Sequence, residues 1–414
     1  MEKRLYKPMG LVLSGALAAT LGLGIATLSS TPALAADASQ SASATSDNGV
    51  QQVNVQLKGN KAEVDVTEVK AGPVTFNVTN VDSPAITEVE LLYNQKIEGE
   101  KENLAPGLDT VSFTVTLDGG DYRIYTPGAD SQYTDFKVTG QKAAAPQGST
   151  QDILKQGVQE YADYVKEQIG YLKDTTAELN QAVQSGDVDA AKAAYVKARP
   201  YYERAESAVD KFLLPGSTDP EDNSTNLDYL IDMRESSYDD AAGWHGFHAV
   251  ERDLWQAGEI TDQTKAYAQE LADNAAILND DVVPSFADDL LPEDLANGAA
   301  DLLEEVSTTK ITGEEEEYSK IDLLDFRANV EGAQQAYASM RDGLLKIDPD
   351  QVAQIDDEFQ KVDDLLDSYR DDTVLGGYKL YTDDLKASDS EKMAQLILPL
   401  HEDLASLAEK VATA

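Results

Sequence analysis

The stretch "GWHGFHAVERDLW", Gly243 to Trp255, holds two of the three histidines in a chain of 414 residues. His248 and Glu251 stand three residues apart, a spacing that makes them neighbours on a helix surface. At 100° per residue Trp244, Phe247, Leu254 and Trp255 gather on one side, and His248 and Glu251 fall inside that apolar stripe. His245 sits at its edge beside Arg252, where it reads as an auxiliary ligand or, the expected case, as an exposed side chain. An imidazole and a carboxylate on a core-facing stripe need partners, because burying either one alone is costly. A hydrogen-bonded core pair would satisfy both. So would joint coordination of a metal ion.

Two further helical stretches carry polar groups in the same way. In "ARPYYERAESAVDKFLL" the apolar side runs through Tyr195, Tyr202, Val209 and Leu213, with Glu206 within it and Glu203 at its border. In "YSKIDLLDFRANVEGAQQAYASM" it runs through Phe326, Val330, Ala333, Tyr337 and Met340, and Asp322 and Asn329 share the face. Carboxylates from facing helices, joined by a His-Glu pair, are how helical bundles build iron-type sites. One imidazole among several oxygens suits iron or manganese and admits zinc or copper. Taken singly, each carboxylate reads as a solvated or salt-bridged residue near a helix edge. His401, among Ile397, Leu400 and Leu404, reads as a core histidine or as a support for a ligand. Catalytic signatures are missing. H-E-x-x-H does not occur, and "HAVER" lacks the second histidine of the inverted zinc-protease pattern. Nor is there a G-x-S-x-G, a P-loop or a strand-based G-x-G-x-x-G.

The elements that must position these residues fall into two textures. Residues 1–35 read as a secretory signal, with Lys3, Arg4 and Lys7 before an apolar run and "TPALA" ending at Ala35. An uncleaved anchor is the alternative. Residues 36–49 are mostly Ser, Ala, Asp and Gln, the composition of a disordered linker. From 50 to 140, "VNVQL", "AEVDVTEV", "VTFNVTNV", "VSFTVTL" and "YRIYT" alternate apolar and polar residues between Gly and Pro turns, predicting a small β-sandwich of about seven strands. Residues 141–150 read as a second linker. From 151 to 414 the period becomes 3.6, which predicts an all-α domain of antiparallel helices. One helix should end at Gly186, a second should run from Asp187 to Leu214 with a kink at Pro200, and others should follow. These cover roughly 239–256, 262–279, 292–308, 319–347, 349–370 and 390–411. The periodicity does not decide between one bundle and two.

There is no cysteine, which excludes disulfides, thiolate metal sites, cysteine nucleophiles and a lipidated N-terminal cysteine. Net charge is −43, and the signal segment carries three basic residues and one acidic, leaving −45 on the rest. Such a surface repels nucleic acid and anionic membranes and attracts cations. A soluble, extracytoplasmic monomer, at most peripheral to a membrane, is expected.

The order of signal, β-domain and helical domain, together with four sequence blocks, resembles the EfeO-type family of the EfeUOB iron-uptake systems. The blocks are "GFHAVERDLW", with the family's G-x-H-x-x-E as Gly246, His248 and Glu251, then "RPYYERAE", "IDMRE" and "KITGEEEEYSKIDLLDFRANVEGA". The resemblance implies a cupredoxin-like β-domain and an imelysin-like helical domain. It also implies iron, as Fe3+ or Fe2+, with Zn2+ or Cu2+ as further cations. His248 and Glu251 become the expected ligands, followed by Glu203 and Glu206. Asp232, Glu235, Glu316, Asp322 and Asp325 lie in matching blocks. The implied partners are a membrane iron permease and a secreted haem peroxidase. Two other readings stand beside this one: a metal-dependent peptidase of the imelysin type, and an acidic envelope polysaccharide-binding protein whose histidines are only core. Cupredoxin-like domains that hold blue copper use His, Cys and Met, yet residues 50–140 contain none of these. A cation there would need oxygen ligands such as Glu88, Glu90 or Asp130. A docking role needs none. Copper(II) added to the chain should therefore give no intense blue charge-transfer band, and such a band in the visible spectrum would contradict the ligand reading.

Overall fold

Alternating side chains make strands, and a two-residue turn with φ positive at both positions joins them into hairpins. Gly59 (φ +56°) and Asn60 (φ +60°) supply that turn between strands β2 (Gln51–Lys58) and β3 (Lys61–Val64). The computed structural model describes Ala44–Thr45, 50–141 and 149–414, apart from 94–95, 102–103, 109, 210, 220–221 and 289. The expected signal segment lies outside the described residues, as do most of both linkers. The described parts of those linkers are ordered. Ala44–Thr45 forms β1 on the edge of β2, and Ser149 already begins the first helix.

The other strands are β4 (Glu68–Lys70), β5 (Gly72–Asn80), β6 (Val89–Tyr93), β7 (Lys96–Lys101), β8 (Val111–Leu117), β9 (Gly120–Tyr125) and β10 (Tyr133–Thr139). One sheet has the order β1-β2-β5-β8, with β3 paired to β2, and the other β4-β10-β9-β6-β7. "AEVDVTEV", expected as one strand, is two. The Asp65 carboxylate accepts the Asn54 N–H at 2.8 Å, the ladder stops, and the chain crosses from β3 in one sheet to β4 in the other. The β6–β7 hairpin does not alternate, because a bulge at Leu91/Leu92 leaves both leucines buried. Phe76 joins the sheets, stacked on Phe113 at 5.0 Å and tilted on Phe136 at 5.3 Å.

The helical part contains α1 (Ser149–Ser185), α2 (Val188–Glu203), α3 (Glu206–Val209), α4 (Leu227–Asp232), α5 (Gly246–Glu251) and α6 (Asp262–Ile277). It continues through α7 (Pro292–Thr308), α8 (Asp322–Ile347), α9 (Pro349–Asp367), α10 (Asp383–Ala405) and α11 (Leu407–Thr413). Gly186 ends α1 in the left-handed region, and Asp187 caps α2 by accepting the Ala190 N–H. Two expected helices are shorter. The one from Asp187 stops at Glu203, three residues after Pro200, whose ring weakens the preceding turn. The one expected from residue 239 begins only at Gly246. One apolar core runs from Leu154 to Val411, so the helices form a single bundle.

The sandwich docks on α7. Lys101 of β7, almost wholly buried, donates to Asp301 and, at 2.9 Å, to Glu304. Asn297 donates to the Thr114 carbonyl on the open edge of β8 at 2.7 Å, and Thr116 donates to Glu293. Helix and strand edge thus cover each other. Removing one partner of a buried ion pair costs about 3–5 kcal/mol. Lys101→Met should destabilise the chain by about that much in equilibrium denaturation. Burial alone would raise the Glu304 pKa, but Lys101 and His401 outweigh it and bring it down to about 2. Its stabilisation is therefore complete above the usual value near 4.5 and fades as pH falls toward 2. The loss of melting temperature over that interval should be smaller in Glu304→Gln.

Candidate metal centre

The glycine of the G-x-H-x-x-E motif comes first. Gly246 has φ +68°, and a Cβ there would collide with the Ile231 carbonyl. Only glycine lets the start of α5 lie against the end of α4, which sets His248 opposite Asp232. After Glu251 the helix widens into π turns over Arg252–Ala257 and closes at Gly258, a distortion common beside functional residues.

Glu251 anchors a loop. Its Oε1 accepts the Tyr318 and Ser319 backbone N–H groups at 2.8 and 2.6 Å, and its Oε2 lies 3.1 Å from His248 Nδ1. This fixes the segment between α7 and α8 that carries Glu315 and Glu316. Tyr195 donates to Glu316 Oε1 at 2.9 Å, and Ser319 donates to its other oxygen. From α2, Arg199 reaches into the middle. It donates to Asp232, to Glu203 and, at 3.0 Å, to Glu315, and it lies 3.1 Å from Glu316 and 3.5 Å from Asp325. Phe247 lies under its guanidinium at 5.0 Å. Lys310 Nζ donates to Glu203 at 2.6 Å and Glu206 at 2.8 Å. Arg234, at the rim, contacts Glu315 at 3.1 Å and Glu305 at 3.3 Å.

Charge does not balance inside this cluster. Glu203, Glu206, Asp232, Glu251, Glu315, Glu316, Asp322 and Asp325 are all buried. Arg199 and Lys310 are the buried cations facing them, with Arg234 at the edge. The carboxyls respond by dividing. Burial pushes Asp325, Glu206 and Glu316 well above the usual range, and it lifts Asp322 to about 7. Burial also opposes ionisation of Asp232 and Glu315, but neighbours reverse it. Arg199 and His248 hold Asp232 low, and Lys310 and Arg234 hold Glu315 low. Burial lowers the His248 pKa, but the neighbouring carboxylates Asp232, Glu251 and Glu315 raise it well above the ordinary histidine value.

His248 is 2% exposed and its Nε2 has no hydrogen-bond partner, yet Asp232 Oδ1 and Glu315 Oε1 each lie 3.5 Å from it. Among the described residues three groups bring ligand atoms within 4.8 Å of one another: Asp232–His248–Glu315, His248–Glu251–Glu316 and Glu203–Glu206–Asp232. Metal–ligand bonds of about 2.1 Å produce such spacings. His248 and Glu251, expected together, are together. Glu203 and Glu206 are in the same cluster, but their oxygens face Lys310. Asp232, Glu316, Asp322 and Asp325 point inward, whereas Glu235 is exposed and accepts the Tyr318 hydroxyl at 2.5 Å.

Sequence reasoning missed Arg199, Lys310 and Glu315. Arg199 was visible in principle, since it continues the stripe of Tyr195 and Tyr202. Lys310 and Glu315 lie where helical periodicity has no bearing. His245, expected exposed, is half-buried at the start of α5, with Nε2 on the Ala242 carbonyl and Nδ1 3.1 Å from Glu270. His401 belongs to the seam between sandwich and helices, 3.6 Å from Glu304. Among the described residues no metal-sized group of acidic or histidine ligands forms in the sandwich. Asp130 is tied to Asn60 instead. A cavity of about 440 Å³ lies at the seam against Phe113, Phe212 and Phe286, and none of the clustered carboxylates lines it. The centre is a closed cage rather than a cleft.

The family model described as Imelysin (Peptidase_M75) matches residues 157–409. "Iron uptake system component EfeO" of Escherichia coli (strain K12) is 32% identical over 364 residues, covering 86% of this chain and 91% of that protein. The protein of the same name from Shigella flexneri matches to the same extent. An "Efem/EfeO family lipoprotein" of Staphylococcus haemolyticus is 35% identical over 275 residues, 66% of this chain and 91% of its own. No helix among the described residues is long and apolar enough to cross a membrane.

Gly246→Ala should force α4 and α5 apart. Strained positive φ costs about 1–3 kcal/mol, and the collision adds to it. A melting temperature within a degree of wild type would contradict this placement of the motif.

Proposed function

The chain belongs to the imelysin family in its EfeO form, and on that premise we propose that it captures iron outside the cytoplasmic membrane and delivers it to a membrane permease. The names of its relatives support a role in iron uptake. The observation that carries the site is His248 Nε2, which makes no hydrogen bond and stands 3.5 Å from each of two carboxylates, Asp232 and Glu315, that their neighbours hold low. In this reading iron, as Fe3+ or Fe2+, takes His248, Asp232 and Glu315, with Glu251 and Glu316 completing the shell as they turn from their present partners. Glu203 and Glu206 stand behind them and set the charge. Zinc and copper(II) would compete for the imidazole. A secreted haem peroxidase is the implied third member of the system.

Binding rather than peptidase chemistry is supported by the sequence around the motif, which has neither H-E-x-x-H nor the second histidine of the inverted zinc-protease pattern.

His248→Ala should weaken iron binding at least tenfold, about 1.4 kcal/mol, with helicity unchanged by circular dichroism, while the exposed Glu235→Ala binds as wild type. Equal affinity in all three proteins would sink the assignment. Imidazole and carboxylates coordinate only when deprotonated. Retention should therefore weaken as pH falls, beginning above the ordinary histidine value of about 6.5 because the surrounding carboxylates hold the His248 proton, and fail near 4. Salt should matter less. Iron stripped at neutral pH by 1 M salt, where the Debye length is about 3 Å, would indicate a diffuse surface atmosphere instead.

A further inference from the structure

We propose a second cation seat beside the first, formed by Glu203, Glu206 and Asp232, which Lys310 fills with its own ammonium group. The proposal rests on the metal reading of the same cluster and adds what limits its capacity. The three carboxylates converge with ligand atoms within 4.8 Å of one another. Lys310 Nζ stands on two of them, at 2.6 and 2.8 Å, with Glu305 at 3.4 Å, and it is fully buried. This seat shares no residue with the His248–Glu251–Glu316 group, and it meets the Asp232–His248–Glu315 group at Asp232 alone.

Arg199 also donates to Glu203 and Asp232, and a second observation shows buried oxygen that neither cation satisfies with a hydrogen bond. Asn329, fully buried, donates its Nδ2 to the Glu203 carbonyl at 3.1 Å and to Glu206 at 3.3 Å, and its Oδ1 has no hydrogen-bond partner. Asp325, also fully buried, leaves both oxygens without one. An ammonium offers three N–H groups, whereas a hard multivalent cation gathers about six oxygens. The donors are all oxygen, which suits Mn2+, Mg2+ or iron over softer ions. A +1 charge in this seat holds Glu203 and Glu206 without setting a second multivalent charge against the neighbouring ion. Lys310 thereby holds the chain to one ion per cluster.

The test counts ions. Full-length wild type and Lys310→Met are saturated with manganese(II) alone, desalted, and assayed for metal per chain. The expected result is one more ion in Lys310→Met than in wild type, lost again when Glu206→Gln is added. An unchanged count in folded Lys310→Met overturns the proposal. So does a variant that stays unfolded in excess manganese, since an ion filling the seat should replace the ammonium. The His248→Ala count is read separately. Loss of the wild-type ion there concerns the first seat, and an ion gained by Lys310→Met concerns the second.

Discussion

Arg199 lies wholly out of water with carboxylates on every edge of its guanidinium. Glu203 comes from its own helix, Asp232 from the end of α4, Glu315 and Glu316 from the loop before α8, and Asp325 from α8 itself. A planar fork with five donors can hold several acceptors at once, and a lysine could not reproduce that geometry. Removing one partner of such a buried ionic cluster leaves charges with neither water nor counter-ion, typically at a cost of about 3–5 kcal/mol. The end of α4, the loop before α8 and α8 itself all present carboxylates to this one side chain. Phe247 closes its face, so the apolar stripe of α5 serves the ionic cluster as well as the core.

The consequence is a cage that its own cations only partly neutralise. Asp232 and Glu315 are held ionised by their neighbours, while burial pushes Glu206, Glu316 and Asp325 toward their protonated forms even with Lys310 or Arg199 beside them. A multivalent cation would complete what the resident cations leave undone, and its arrival would displace protons. The chain's net charge of −43 adds a long-range pull on cations but no selectivity. Selectivity would come from one imidazole in a hard oxygen shell.

Much of this was legible beforehand. Stripe positions placed Tyr195, Tyr202, Phe326, Asn329, His248 and Glu251 in the interior, and all are buried. α7 occupies the expected span because Pro292 at its start is a strong boundary signal. What escaped was set by tertiary contact. Lys310 and Glu315 sit in a loop whose shape comes from two backbone N–H groups bound by Glu251, an interaction across 67 residues of sequence. The split of "AEVDVTEV" depended on one aspartate reaching back to Asn54. Arg199 was hidden for another reason. A basic residue on an apolar stripe normally reads as a side chain whose head reaches water, and here it does not.

The most direct measurement is anomalous diffraction from crystals of the full chain loaded with iron, with data collected on both sides of the iron absorption edge. The account predicts one strong anomalous peak inside the helical bundle, roughly 2.0–2.2 Å from His248 Nε2 and bonded to Asp232 and Glu315, with Lys310 still on Glu203 and Glu206. Iron peaks confined to surface carboxylates, with His248 Nε2 left bare, would contradict it.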